Sequence, residues 1–178
     1  MTHMLHTLHT LHTHILPLKS NVSFFNVFIE SIYNEWYDFY KSNSITYEDI
    51  VKFYKEKIDN VFILAYDTKD SQEFMGCYSI YRIQGLIADI LIIKKYRGRG
   101  YGRILMNDVL HKLRYNLFSY LYCEDKNINF YKKYGFVLIY KSDSSKNAYN
   151  LMVRFNMVMI LVLIIMICLI VIILSKFF

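Results

Sequence analysis

The sequence predicts an α/β domain on a mixed sheet, about seven strands flanked by about four helices, with one more apolar helix at the C-terminal end. Three observations predict it. Helical spacing of apolar residues prevails from Ser20 to Ile58, and β-branched and aromatic runs take over from Val61 to Ile93. A strand, a glycine-rich turn, a helix and a further strand then follow between Leu86 and Cys123. That last passage reads as a βαβ unit, whose strands are expected to be parallel, whereas the hairpin-length links before it favour antiparallel neighbours.

At 178 residues the chain suits one domain with an appendage. Its hydrophobic content of 54% exceeds the roughly 45–50% of soluble chains, and much of the excess lies in the last two dozen residues. The formal charge of +6 suits a polyanionic partner: nucleic acid, an anionic membrane surface or a phosphorylated cosubstrate. Cys77, Cys123 and Cys168 form an odd set without CxxC spacing, which supports neither a zinc site nor a disulfide framework.

Residues 1–14 form a low-complexity tail in which His3, His6, His9 and His12 recur every three residues, with His14 beyond. Period three fits neither a helix face nor a strand, so these imidazoles are not expected to converge on a metal. A disordered tail is expected. The domain spans residues 15–155. Ile15 to Lys19 is short and alternating, a first strand that Pro17 confines to an edge. Ser20 or Asn21 is a candidate cap for a helix carrying Phe24, Phe25, Phe28, Ile29, Ile32 and Tyr33 on one stripe. Ser44 or Thr46 stands likewise before Ile50, Val51, Phe53, Tyr54 and Ile58. Strands follow at Val61 to Tyr66, Glu73 to Arg82 and Leu86 to Ile93. Then come a helix from Gly100 to Arg114, a strand from Leu117 to Cys123 and a short helix from Asn127 to Tyr134 that Gly135 stops. Phe136 to Tyr140 and Ala148 to Phe155 close the sheet.

The chemistry concentrates between Asp89 and Arg103. A strand runs into Arg97-Gly98-Arg99-Gly100-Tyr101-Gly102-Arg103 and then into a helix. Glycines let backbone N–H groups face a ligand unshielded, and a helix N-terminus adds partial positive charge, which together make a cradle for phosphate. Arg97, Arg99 and Arg103, with Lys94 and Lys95, gather cationic charge around this one turn, an arrangement that argues against a nucleic-acid groove. The spacing is GxGxG, late in the chain, so it is not the dinucleotide fingerprint, and no Gly-Lys-Ser or Gly-Lys-Thr makes it a P-loop.

Arg97, Gly100 and Gly102 resemble, in register, the pyrophosphate-binding motif of the GCN5-related N-acetyltransferases (the GNAT family). Asn127, Phe130-Tyr131 and Gly135-Phe136 resemble the same family's downstream helix. The resemblance covers roughly Ile15 to Phe155 and implies the acyl-CoA N-acyltransferase fold, with acetyl-CoA as cosubstrate and no metal. It further implies a cosubstrate held where the strands Leu86 to Ile93 and Leu117 to Cys123 splay apart. Backbone groups at Ile92 and Ile93 would pair with the pantetheine arm, residues 97–103 would hold the diphosphate, and Asn127 would lie beside it.

Acetyl transfer to an amine needs a proton acceptor, because a lysine-like amine with pKa about 10.4 is almost wholly protonated near neutrality. It also needs a donor for the departing thiolate. The resemblance gives that second role to the tyrosine of the Phe-Tyr pair, Tyr131. Asp89 is the candidate base, although Ala88 stands where related enzymes frequently carry glutamate; a solvated or ion-paired Asp89 is the plainer alternative. Cys123 reads as a buried strand thiol and His111 as a surface residue.

Met157 to Leu174 are consecutive apolar residues, about 27 Å of helix, which the sequence presents as a minimal membrane span within residues 156–175. A tail anchor of this kind would leave the catalytic domain facing the cytoplasm, with Lys146 and Arg154 on the near side outweighing Lys176 on the far side. The expected function is therefore acetyl transfer from acetyl-CoA to a primary amine, of a small molecule or a protein, at a membrane surface. The alternative is a catalytically silent CoA-binding or adaptor domain tethered in the same way.

Overall fold

The computed structural model describes residues 12–142 and 149–174, with the side chains of the last helix described as far as Ile172. The chain forms two compact units. The first comprises the chain up to Tyr81 together with Ile87–Val109, and the second comprises Arg82–Leu86 and the chain from Leu110 onward.

In the first unit the strands are β1 (Thr13–Pro17), β2 (Val61–Asp67), β3 (Gln72–Tyr81) and most of β4 (Leu86–Ile92). β1 pairs antiparallel with β2, and β2 antiparallel with β3 with a bulge at Leu64/Ala65, the second pairing as the short link from Asp67 to Gln72 predicts. Pro17 ends β1 at the sheet edge, where its missing N–H costs no ladder bond. Helices α1 (Phe25–Glu35), α2 (Tyr37–Ser42) and α3 (Tyr47–Glu56) lie between β1 and β2 in sequence. Phe28, Ile29 and Ile32 of α1 and Ile50 and Tyr54 of α3 share one buried cluster with Ile63, Cys77 and Leu91 of the strands. Fully burying each large apolar side chain contributes about 1.5–3 kcal/mol, so this stripe accounts for the helices better than propensity does. The helix α4 (Tyr101–Lys112) buries Tyr101, Leu105, Met106 and Val109.

Local signals succeed and fail for identifiable reasons. Thr46 caps α3 in a full capping box, its hydroxyl accepting from the Asp49 N–H while Asp49 accepts from the Thr46 N–H. Neither Ser20 nor Asn21 caps α1: two 3-10 turns intervene, and the Asn21 amide donates to the Pro17 carbonyl at 2.9 Å. The helix α2 was not expected from the spacing. Its aromatic side chains hold it in place, Tyr33 meeting Tyr37 edge-on at 5.6 Å and stacking on Tyr40 at 6.1 Å. The expected disordered tail is corrected at its end, because Thr13 and His14 belong to β1 and His14 Nε2 lies 2.7 Å from Asp67. The rest of the tail, residues 1–11, lies outside the described residues, as does Ala148.

In the second unit β7 (Asn150–Phe155) lies between β5 (Phe118–Cys123) and β6 (Val137–Tyr140), antiparallel to both. The short helix α5 (Ile128–Lys132) precedes Gly135, whose φ of +81° ends the turn as a glycine C-cap does. Asn156 then leads directly into α6 (Met157–Leu174). Among the described residues no helix is long and apolar enough to cross a membrane. The expected span is therefore not supported by the described residues.

Candidate active site

The end of β4 and the turn after it are fixed by backbone and arginine contacts. The Ile93 N–H donates to the Met75 carbonyl at 2.9 Å, and Arg97 Nε donates to the Ile92 carbonyl at 2.7 Å. The same guanidinium reaches Glu35 of α1 at 2.6 Å. Arg97 thus ties the turn to α1, where the sequence reading expected it to add charge to a diphosphate. Gly98 and Gly100 have φ of +77° and +84°, a region that costs other L-residues roughly 1–2 kcal/mol. A side chain at Gly98 would project into open space, so conformation and not crowding demands that glycine. Gly102 needs no such freedom, since it is already the second residue of α4. Buried Tyr101 anchors the start of that helix, while Arg99 and Arg103 are exposed beside the turn. Of the two lysines before it, Lys95 pairs with Glu73.

Asp89 is perturbed in both backbone and side chain. It is a non-glycine residue with φ of +55° in the middle of a strand, and such a conformation persists only where the surroundings enforce it. The residue as a whole is half-buried, but its Oδ2 atom is buried and without a hydrogen-bond partner. Burial raises its pKa above the usual carboxylate range, while Ser79 and Tyr54 pull it back down. The Ser79 hydroxyl is itself without an aligned hydrogen bond, so its effect on Asp89 is that of a nearby dipole. Cys77 approaches the Asp89 carbonyl at 3.5 Å. Burial and the adjoining carboxylate raise the pKa values of Cys77 and Tyr54, and push that of Tyr81 up to about 12. The plainer reading of Asp89 as a solvated strand residue is overturned: it is the centre of a buried polar cluster on β3, β4 and α3. Sequence reasoning missed Tyr54, Ser79, Tyr81 and Glu35 as members of the site region. Tyr54 sits on the apolar stripe of α3, and nothing in the spacing separates its hydroxyl from the core around it.

In the second unit Asn127 closes a 3-10 turn and stands at the N-cap of α5 without a side-chain cap bond. Tyr131 is buried, edge-on to Phe130 and Phe136 at 5.1 and 6.2 Å. Burial first and Cys123 second raise its pKa, which keeps the phenol protonated. Cys123 is itself pushed up to about 11, by burial and then by Asp125 and Glu124, so it is a protonated packing thiol. His111 is exposed beside Arg114, as expected. Among the described residues no three His, Cys, Asp or Glu side chains converge as a metal site.

A family model described as the acetyltransferase (GNAT) family matches residues 29–136, more than half of the chain. The chain belongs to the GNAT family. Membership implies acetyl-CoA-dependent N-acetyltransferase chemistry in general, on an α/β fold with a mixed seven-stranded sheet and, among the described residues, six α-helices. Solved structures share the fold at low identity. A protein of Pyrococcus horikoshii is 21% identical with a TM-score of 0.59, covering 80% of this chain and 98% of its own. A putative N-acetyltransferase of Lactobacillus plantarum is 15% identical with a TM-score of 0.57, covering 82% and 99%. A GCN5-related N-acetyltransferase of Rhodopseudomonas palustris is 16% identical with a TM-score of 0.56, covering 80% and 94%. No curated protein matches the chain by sequence.

Proposed function

We propose that this GNAT chain transfers an acetyl group from acetyl-CoA to a primary amine by direct attack, with Asp89 taking the amine's proton and Tyr131 protonating the departing thiolate. The observation that carries the reading is the turn after β4. Two glycines at positive φ and the exposed side chains of Arg99 and Arg103 stand at the N-terminus of α4, which suits a diphosphate. Asp89, three residues before Ile92 on the same strand, is a buried carboxyl whose raised pKa brings it toward the proton-exchange range a general base needs. Tyr131 and Asn127 take their roles from the family resemblance alone.

Calorimetry of the purified protein with CoA tests the reading first. Binding is expected, and Arg99→Ala with Arg103→Ala should weaken it about tenfold or more, as charge-assisted phosphate contacts worth about 1.5–3 kcal/mol are lost. No heat with CoA would sink the proposal. Thiol release with an amine panel then separates enzyme from adaptor: Tyr131→Phe should lower kcat while CoA binding stays, whereas binding without turnover by the unaltered chain would favour the adaptor.

We further propose that α6 is covered by lipid, with the catalytic domain on the cytoplasmic face where acetyl-CoA is available. Its side chains from Leu161 to Ile172 are apolar and exposed on every side of the helix. Exposed apolar area on that scale needs a covering partner. Resistance of the full chain to alkaline carbonate extraction, lost on deletion of residues 157–174, tests this, and a fully extractable chain would overturn it.

A further inference from the structure

A cleft of about 330 Å³ opens between α2 and α3, within the size range of small-molecule sites. Its walls are Tyr40, Ile45, Ile50, Phe53 and Tyr54, with Asp49 the one carboxylate. Asp49 is held ionised by the Thr46 hydroxyl and N–H, which lower its pKa. Tyr54 belongs to two places at once. Its ring lines this cleft and packs edge-on to Phe28 at 4.9 Å, while its hydroxyl lies near enough to the Asp89 carboxyl, whose Oδ2 is buried without a partner, to lower that group's pKa. Tyr40 on the opposite wall lies close enough to perturb the Tyr54 hydroxyl. The groups facing Asp89 are thus Tyr54 from α3 and Cys77, Ser79 and Tyr81 from β3, with Tyr40 of α2 behind Tyr54.

We propose that this cleft admits the acceptor as a single primary amine carried on an aromatic or aliphatic body, and that Tyr54 is the positioning residue that couples the cleft to Asp89. The inference rests on the acetyltransferase reading above. A polyamine carries several separated charges and would need several carboxylates, whereas this wall offers one beside five apolar or aromatic side chains. The ammonium gives a proton to the Asp89 carboxylate across the Tyr54 hydroxyl, which accepts one proton as it donates its own. The free amine then forms the C–N bond to the acetyl carbon of the thioester as the C–S bond breaks. The thiolate leaves with a proton from the chain, the nitrogen gives up its second proton to restore that donor as the amide forms, and Asp89 returns its proton to solvent.

The test uses the full chain in mild detergent, with thiol release as readout and phenethylamine, hexylamine and spermidine as probes. Phenethylamine or hexylamine should exceed spermidine in kcat/KM by tenfold or more. Tyr54→Phe should lower kcat about tenfold or more and displace the acidic limb of the pH profile, with KM for acetyl-CoA and the heat of CoA binding unchanged. Phe53→Ala, at an exposed position where folding is not at stake, should raise KM for the monoamines several-fold and leave that for acetyl-CoA alone. Spermidine as the better acceptor, or a Tyr54→Phe pH profile that superimposes on the unaltered one, overturns the inference. So does CoA binding without turnover of either monoamine, which leaves the cosubstrate site standing. Absence of CoA binding overturns the acetyltransferase reading and this inference with it.

Discussion

Gly76 of β3 is where the strand that carries the site is most sensitive to one added atom. A Cβ at this position would stand 2.2 Å from the Leu91 carbonyl oxygen and 2.9 Å from Ile92 Cδ1. Ordinary C···O contact is about 3.3 Å, so Gly76→Ala must part β3 from β4 by about 1 Å. The carbonyl belongs to the backbone and cannot swing aside. The displacement would stretch the 2.9 Å bond from the Ile93 N–H to the Met75 carbonyl beyond bonding range. Overpacking costs about 1–3 kcal/mol and a lost hydrogen bond about 1 kcal/mol, so the variant should lose about 2–4 kcal/mol. With a urea m-value of about 2 kcal/mol/M, the midpoint should fall by about 1–2 M at unchanged m. Because Ile92 and Ile93 are the base of the glycine turn, CoA affinity measured on the folded variant should also fall. A midpoint within about 0.2 M of the unaltered chain would refute the reasoning, since it would mean that the two strands are not held at this spacing.

Other substitutions probe separate parts of the argument. Burial raises the Asp89 pKa in the folded chain above its unfolded value. The folded state therefore binds the extra proton, and the associated stability is present below the unfolded pKa and lost as pH rises through the folded one. Asp89→Asn should accordingly melt higher than the unaltered chain at pH 8, with the difference vanishing as pH falls below the ordinary carboxylate range; a gap independent of pH would contradict the buried carboxyl. Thr46→Ala removes the α3 cap and should cost about 1 kcal/mol in urea unfolding. Gly98→Ala meets no neighbouring atom, so its cost should be conformational only, about 1–2 kcal/mol, with Gly98→Asn milder because asparagine tolerates positive φ. Arg97→Ala should change stability by less than about 1 kcal/mol, as expected for an exposed pair with Glu35. It should nevertheless weaken CoA binding by freeing the turn, which calorimetry would register.

Much of the architecture is legible in residue order because it depends on periodicity and on the special conformations of a few residue types. The stripe of α1, the capping box at Thr46, the runs of β2 to β4 and the glycine turn at Gly98 and Gly100 are local signals that the tertiary fold reinforces. The C-terminal apolar helix is equally plain in sequence. What sequence could not supply is the pairing of side chains from separate elements. Arg97 reads as a phosphate ligand until Glu35 of α1 is seen beside it, and Tyr54 reads as core until its influence on the buried Asp89 carboxyl is seen. The backbone at Asp89 adopts positive φ although aspartate alone does not demand it. Residue order determined which chemical groups this protein carries and the turn that suits a diphosphate. Only the tertiary structure decided which groups are buried together, because desolvation and long-range contact, unlike periodicity, belong to no single segment of the chain.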